Sequence, residues 1–114
     1  MKAVYIASPY TQGSVSDNVR NSLDDAEELI AYGFLPFCPL LSHFWDLIIK
    51  HEYDFWMSMD FGWVERCDAV LRLPGESGGA DKEVEHATKC GIPVYFSLRD
   101  LVEAEHIKEQ EATE

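Results

Sequence analysis

The sequence has few cysteines and no long apolar run, and both shortages exclude classes of protein. Its three cysteines, Cys38, Cys67 and Cys90, are far apart and odd in number. This pattern argues against a disulfide framework or a Cys/His metal site and favours reduced thiols in a cytoplasmic protein. No stretch approaches the roughly 18 apolar residues of a membrane span, and the first apolar run is too short for a signal peptide. A membrane partner is therefore not expected.

Basic residues are also scarce, because nine lysines and arginines face 21 acidic residues, for a formal net charge of −12. So few cations cannot build the broad positive field that binds a nucleic acid polymer or an anionic membrane. A small anionic ligand held by backbone amides remains compatible with this charge. The sequence contains neither a Walker loop nor a GxGxxG motif. We therefore predict no cofactor and no metal.

What the chain does contain is an alternation of short apolar runs with helix-like segments over 114 residues. It predicts strands at residues 3–7, 34–38, 67–73 and 92–96, the second of them at an edge because of Pro36. It predicts helices at residues 17–32, 51–66, 80–90 and 98–107, and a loop with a possible short helix at residues 39–50. We expect one domain over residues 1–108 and a frayed acidic tail over residues 109–114.

The βα repeat predicts an α/β fold with three layers. A parallel sheet of four or five strands would be covered by helices on both faces, as in doubly wound flavodoxin- or Rossmann-like proteins. In the first helix, Ser16 or Asp17 is the expected N-cap. Its predicted inner face consists of Val19, Leu23, Ala26 and Ile30.

The most informative stretch is residues 71–87, where a buried strand leads through a glycine turn into a helix. Steps of about 100° per residue place Glu83 at the edge of the apolar face formed by Ala80, Val84 and Ala87. A carboxylate at that position is a candidate for chemistry. The alternative is an acid near the helix N-terminus that complements the helix dipole.

A second carboxylate, Asp60, lies in the middle of an apolar stripe on its predicted helix. An unpaired charge there would be costly, so Asp60 needs a donor from the protein or from a ligand. His43, in the loop before that helix, is expected to be structural more often than functional. Four aromatic residues are candidates to stack on a base or to fill the core, namely Trp45, Phe55, Trp56 and Trp63.

Topology suggests where these residues meet. Ligands of doubly wound sheets bind beyond the carboxyl ends of the strands, where the strand order reverses. The loops at residues 8–13 and 74–80 would then border one cleft, and Asp60 and Glu83 could both face it. One carboxylate can attack a sugar anomeric carbon while a second assists, and a Ser-Gly-Gly turn at a helix start suits a phosphate. Together these features indicate chemistry on a glycosidic bond.

Three segments of the chain resemble the nucleoside 2-deoxyribosyltransferase superfamily. Residues 4–10 (VYIASPY) look like its first strand and substrate loop. Residues 60–69 (DFGWVERCDA) look like its middle helix, and residues 77–83 (SGGADKE) look like the turn and helix that carry its nucleophilic glutamate. That superfamily includes deoxyribosyltransferases and 5′-monophosphate N-glycosidases.

The resemblance implies roles for individual residues. Glu83 would attack the anomeric carbon, Asp60 would position the substrate or protonate the leaving base, and Tyr10 would orient the nucleophile or the sugar. Ser8, Ser77, Gly78 and Gly79 would bind the substrate or its phosphate. The resemblance also implies a homodimer or a larger homo-oligomer.

The residue type at position 77 distinguishes two groups of enzymes within that superfamily. Enzymes that act on free nucleosides tend to have an acid six residues before the nucleophile, whereas the monophosphate glycosidases have a serine. The sequence therefore predicts hydrolysis of the N-glycosidic bond of a (2′-deoxy)nucleoside 5′-monophosphate. The alternatives are base exchange on free deoxynucleosides and a non-catalytic nucleotide-binding module of the same fold.

Overall fold

The computed structural model describes residues 1–113, and residue 114 lies outside the described part. Within residues 1–113, four strands and five α-helices follow one another, with a short 3₁₀ turn at Pro39–Ser42. The strands are β1 (Ala3–Ala7), β2 (Leu35–Phe37), β3 (Ala69–Arg72) and β4 (Val94–Tyr95). The helices are α1 (Val15–Ala31), α2 (His43–Ile48), α3 (Tyr53–Glu65), α4 (Gly78–Lys89) and α5 (Leu98–Thr113).

All strands are parallel and lie in the order β2-β1-β3-β4. Successive residues of β1 point to opposite faces of the sheet, so the strand contributes to two separate cores. On one face Val4 and Ile6 pack with residues of α1 and α5, including Leu29 and Leu101. On the other face Tyr5 packs with residues of α3 and α4. The predicted α/β fold with helices on both faces of a parallel sheet is confirmed.

The predicted start and inner face of α1 are wrong in part. The N-cap is Ser14, whose hydroxyl accepts a hydrogen bond from the Asp17 amide, and the helix begins at Val15. Its buried residues are Ser22, Ala26 and Leu29, whereas the predicted inner residues Leu23 and Ile30 are exposed. The helix is oriented so that Leu29, and not Leu23 or Ile30, packs in the core on this face of the sheet.

The remaining boundaries differ by a few residues. Strands β2, β3 and β4 are shorter than predicted, and β2 does lie at an edge of the sheet. The expected short helix within residues 39–50 is present as α2. A sequence pattern defines the ends of a helix or strand less sharply than its middle, because the terminal residues of an element fray.

The last helix is longer than predicted. It continues from Leu98 to Thr113, whereas the sequence predicts an end at Ile107. The frayed acidic tail expected over residues 109–114 stays a prediction, and residue 114 lies outside the described residues. Residues of high helix propensity at positions 108–112 account for the extension. Among the helices of residues 1–113, none is long and apolar enough to cross a membrane.

Candidate active site

A cleft of about 450 Å³ opens at the carboxyl ends of β1 and β3, where the strand order reverses. It is bordered by the loop after β1, the 3₁₀ turn, α3 and the β3–α4 turn. Every predicted site residue is among those that line it: Ser8, Tyr10, Asp60, Ser77, Gly78, Gly79 and Glu83. The two loops expected to border one cleft therefore do so.

Glu83 and Asp60 lie together on the floor of the cleft. Glu83 is only 5% exposed, and its Oε2 accepts a hydrogen bond from the hydroxyl of Tyr5. Asp60 lies beside this bonded pair, close enough for its charge to raise the pKa of both Glu83 and Tyr5. The three side chains come from α4, α3 and β1 and form one group at the floor of the cleft.

Local packing explains why Glu83 is buried. Ala80 and Ala87 on α4 are completely covered by the sheet, and their small size brings the helix close to β1 and β3. Glu83 lies between them on the same side of the helix, so its carboxylate is carried against Tyr5. Asp60 stands one turn before Val64, the buried anchor of α3.

The electrostatics of this group favour a bound proton. Burial raises the pKa of Glu83 to about 8, although the Tyr5 hydrogen bond opposes the rise, and the nearby Asp60 adds to it. Burial likewise raises the pKa of Asp60 to about 6, opposed by hydrogen bonds from Glu83 and Tyr5. Because the two acids interact, the proton belongs to the pair. Near neutral pH the pair holds one proton.

Tyr5 stays protonated under these conditions. Burial, followed by the charge of Glu83, raises the pKa of its hydroxyl well above the ordinary value of tyrosine. The hydroxyl is therefore a donor that supports a carboxylate at Glu83. The sequence analysis did not single out Tyr5; the available signal is that a tyrosine inside a buried strand needs a partner for its hydroxyl.

Tyr10 lies in the cleft but does not contact Glu83. Its hydroxyl forms a hydrogen bond with Nδ1 of His43, and the two rings meet edge to face at 5.5 Å. The structure therefore places Tyr5, and not Tyr10, against the carboxylate expected to be the nucleophile. Ser8 also lines the cleft, where its hydroxyl donates to the carbonyl of Pro9.

The Ser-Gly-Gly turn forms the start of α4. Ser77 is the N-cap, with its Oγ accepting from the Ala80 amide at 3.0 Å. Its hydroxyl hydrogen stays available as a donor. The amides of Gly78 and Gly79 are in the first helical turn, where no intrahelical acceptor exists. Three donors thus belong to residues that line the cleft together with Glu83.

Of the four aromatic candidates, Trp56 alone lines the cleft. Its indole N–H donates to Oδ1 of Asp46 at 2.7 Å, and Trp45 packs edge-on against it. Trp63 instead stacks on Phe37, with ring centroids 4.7 Å apart. None of the four belongs to either buried core.

Fold and cleft together define a doubly wound α/β protein with a buried glutamate and a half-buried aspartate at its switch point. Residues 2–97 match the model of a family described as a domain of unknown function (DUF7768), and the chain belongs to that family. No curated protein matches the sequence.

A solved structure with a similar fold is the 2-deoxyribosyltransferase from the psychrotolerant bacterium Bacillus psychrosaccharolyticus, described as a biocatalyst for nucleoside synthesis. The TM-score is 0.60 and the sequence identity 18%, over 81% of this chain and 69% of that one. At this identity the likeness concerns the fold. It supports the expected relationship to the deoxyribosyltransferase superfamily at that level.

Proposed function

We propose that the protein is a glycosyl-transfer enzyme that hydrolyses the N-glycosidic bond of a (2′-deoxy)nucleoside 5′-monophosphate. The observation that carries this proposal is the buried Glu83, which accepts from Tyr5, adjoins Asp60 and faces a cleft large enough for a nucleotide. Small-molecule sites are typically concavities of about 300–1,000 Å³. No part of the proposed chemistry requires a cofactor.

In the proposed reaction Glu83 is the nucleophile. One of its carboxylate oxygens bonds to the anomeric carbon while the bond from that carbon to the base nitrogen breaks. Asp60 gives the shared proton to the leaving base, which takes the electron pair of the broken bond. Water then attacks the same carbon, Asp60 accepts its proton, and Glu83 is released as a carboxylate. The hydrogen bond from Tyr5 orients Glu83 and favours its ionised form.

The phosphate would bind at the start of α4. The Ser77 hydroxyl and the Gly78 and Gly79 amides supply donors, and the helix dipole favours an anion there. Lys82, one turn further on, lies 5.2 Å from the centre of the Tyr53 ring at the same edge of the cleft. A carboxylate at position 77 would repel a phosphate, whereas the Ser77 hydroxyl can donate to one. We therefore propose a nucleoside monophosphate, and not a free nucleoside, as the substrate.

A second candidate is base exchange on free deoxynucleosides. It is favoured by the fold, because the similar solved structure is a 2-deoxyribosyltransferase. Among the described residues that line the cleft there is also no lysine or arginine to pair with a phosphate. A third candidate is a nucleotide-binding module without catalysis, in which the acids only pair with each other.

The test is to incubate the protein with nucleoside 5′-monophosphates and free nucleosides, in ribo and deoxy forms, and to measure the released base by chromatography. Release from monophosphates by the parent but not by Glu83→Ala supports the proposal. Release or exchange with free nucleosides alone would favour the transferase. Binding without turnover would favour the third candidate.

The assembly and location of the protein are also proposals. We propose a homodimer or larger homo-oligomer in the cytoplasm, with a nucleoside or nucleotide as its small-molecule partner. Helix α2 has no buried residue, and large apolar side chains such as Phe44, Leu47 and Ile48 are exposed on it. Analytical ultracentrifugation measures the assembly directly, and a monomer at micromolar concentration would contradict it.

A further inference from the structure

Arg72 is the one charged residue within the four strands, and it is almost completely buried. It ends β3, where it is opposite Ala7 of β1, and only 8% of its side chain is exposed. Burying a guanidinium is costly unless each of its donors finds an acceptor. The hydrogen-bond acceptors of Arg72 therefore indicate which part of the structure this residue stabilises.

Those acceptors all belong to the β3–α4 turn and the first turn of α4. One guanidinium nitrogen donates to the carbonyl of Leu73, and the other donates to the carbonyl of Gly75 at 2.9 Å. The second nitrogen also lies 3.0 Å from Oδ1 of Asp81. The planar fork of arginine thus joins the beginning of the turn, its middle and the helix that follows.

The turn is held from its other side by the loop after β1. Gly75 has a φ of +113°, and a Cβ on it would lie 3.0 Å from Cγ of Pro9. The backbone therefore approaches Pro9 in a conformation that favours glycine. The turn is thus in contact with Arg72 on one side and Pro9 on the other. These contacts restrict the backbone conformation that leads into Ser77.

We propose that Arg72 is a positioning residue that fixes the β3–α4 turn, so that Ser77, Gly78 and Gly79 present their donors to the substrate. The inference rests on the proposed function for its role in turnover, and it names a residue outside the cleft lining. Arg72 also acts at a distance on the nucleophile, since its charge lowers the pKa of Glu83. Its replacement is therefore expected to affect both binding and the pH dependence.

The first test needs no substrate. Amide hydrogen exchange of Ala80 and Asp81, whose amides donate to the hydroxyl and the carbonyl of Ser77, is compared between the parent, Arg72→Met and Arg99→Met. Arg99 is the matched control, because it is an exposed arginine whose pairing with Glu103 lies on α5. Loss of the two hydrogen bonds from the Arg72 side chain to backbone carbonyls is expected to speed exchange of these two amides about tenfold in Arg72→Met, and to leave β1 and the control unchanged. Equal exchange in all three proteins would overturn the proposal.

The second test is kinetic and separates positioning from general stability. For a deoxynucleoside 5′-monophosphate, Arg72→Met is expected to raise KM about tenfold and to move the alkaline limb of the pH profile, which follows the higher pKa of the pair, to higher pH. Arg72→Lys keeps the charge without the fork, so it is expected to restore the alkaline limb but to lower KM only part of the way to the parental value. A uniform fall in kcat at every pH, with unchanged KM, would contradict the proposal.

The two tests distinguish a failure of the proposed function from a failure of the role proposed for Arg72. If the parent releases no base from any substrate, the proposed function is wrong, and the exchange experiment alone decides whether Arg72 holds the turn. If Arg72→Met does not fold, Arg72→Lys takes its place in the exchange experiment. A smaller acceleration at Ala80 and Asp81 is then expected, and parental exchange in Arg72→Lys would overturn the proposal.

Discussion

At the scale of single residues, the proposed chemistry depends on two carboxylates that lie beside one buried tyrosine. Tyr5 donates to Glu83, Asp60 lies beside them, and burial raises the pKa of each acid. A nucleophilic carboxylate must be ionised, whereas the acid that protonates the base must not be. The higher pKa of Glu83 places the shared proton mainly on Glu83, and the reactive form is the minor one that carries it on Asp60, so activity is expected only where the pair is singly protonated.

This argument predicts a bell-shaped pH profile. Activity falls in acid, where both acids are protonated, and in alkali, where both are ionised. With pKa values of about 6 and about 8, kcat/KM is expected to be largest between those values. Asp60→Asn is expected to lower kcat about 100-fold through loss of the acid and to remove the alkaline limb. Measured profiles that rise monotonically for the parent would contradict the shared proton.

The same pKa shift predicts how stability depends on pH. The folded-state pKa of Glu83 is raised to about 8, above the value of about 4.3 expected for the unfolded chain. The folded state therefore binds more protons between these values, and stability falls as pH rises through them. In Glu83→Gln this decline is expected to be smaller. Urea denaturation at pH 5 and pH 8 measures it, with the exposed Glu85→Gln as a control that keeps the parental decline.

At the scale of elements, the turn and helix α4 bring the donors and the nucleophile to the cleft together. Ser77 serves twice, because it caps the helix and offers a donor to the ligand. A substitution that keeps the cap but changes the charge separates these two roles. Aspartate does this, since it is as good an N-cap as serine.

Ser77→Asp is therefore predicted to leave the melting temperature near that of the parent and to change the substrate. KM for a monophosphate should rise about tenfold or more through repulsion between the carboxylate and the phosphate, while turnover of the free nucleoside does not fall. Ser77→Ala is the control for the cap, with an expected loss of about 1 kcal/mol in stability. Unchanged KM for the monophosphate in Ser77→Asp would place the phosphate elsewhere.

The elements were largely predictable from sequence because apolar runs and glycine turns are local signals. Pro36 correctly placed β2 at an edge, and the glycine at position 91 correctly ended α4, where it adopts a positive φ. The inner face of α1 was predictable only in part, since Ala26 is buried as predicted but Ser22 and Leu29 are buried in place of Leu23 and Ile30. The helix carries apolar residues on more than one side, and the hydrophobic pattern alone does not tell which of them packs inward.

At the scale of the whole molecule, α5 is attached to the sheet by one buried acid. Glu105 accepts from Lys2 at 2.6 Å and from the Tyr95 hydroxyl at 2.9 Å, and Lys108 lies 3.2 Å away. Burial opposes ionisation, but the three hydrogen bonds hold the pKa of Glu105 below its usual value. This network joins the N-terminal residues, β4 and the last helix.

Glu105→Ala is predicted to destabilise the protein by about 1–3 kcal/mol, because it removes a buried, hydrogen-bonded carboxylate. The contribution should be present above the unfolded pKa of about 4.3 and be lost as pH falls below it, since the folded pKa is depressed. Urea denaturation at pH 7 and pH 3 measures both effects. Glu103→Ala, on the exposed side of α5, is the control and is expected to change stability by less than about 0.5 kcal/mol. Equal effects of the two substitutions would contradict the network.

The site was predictable only where its residues carry a local pattern. Glu83 and Asp60 stand out because a charge interrupts an apolar helical face, and Ser77 because it precedes a glycine turn. Tyr5 does not stand out, because its partner Glu83 is 78 positions away and the pairing exists only after the sheet and α4 have packed. Arg72 does not stand out either, because two of its acceptors are backbone carbonyls that no sequence pattern displays.

The central claim is that Glu83 is a nucleophile, and trapping its covalent intermediate tests it most directly. A deoxynucleoside 5′-monophosphate with fluorine at C2′ slows both steps by destabilising the oxocarbenium-like transition states. Mass spectrometry of the digested protein is expected to find the sugar phosphate attached to the peptide that contains Glu83, and none in Glu83→Gln. Base release by the parent without such an adduct, or base release by Glu83→Gln at the parental rate, would contradict the account.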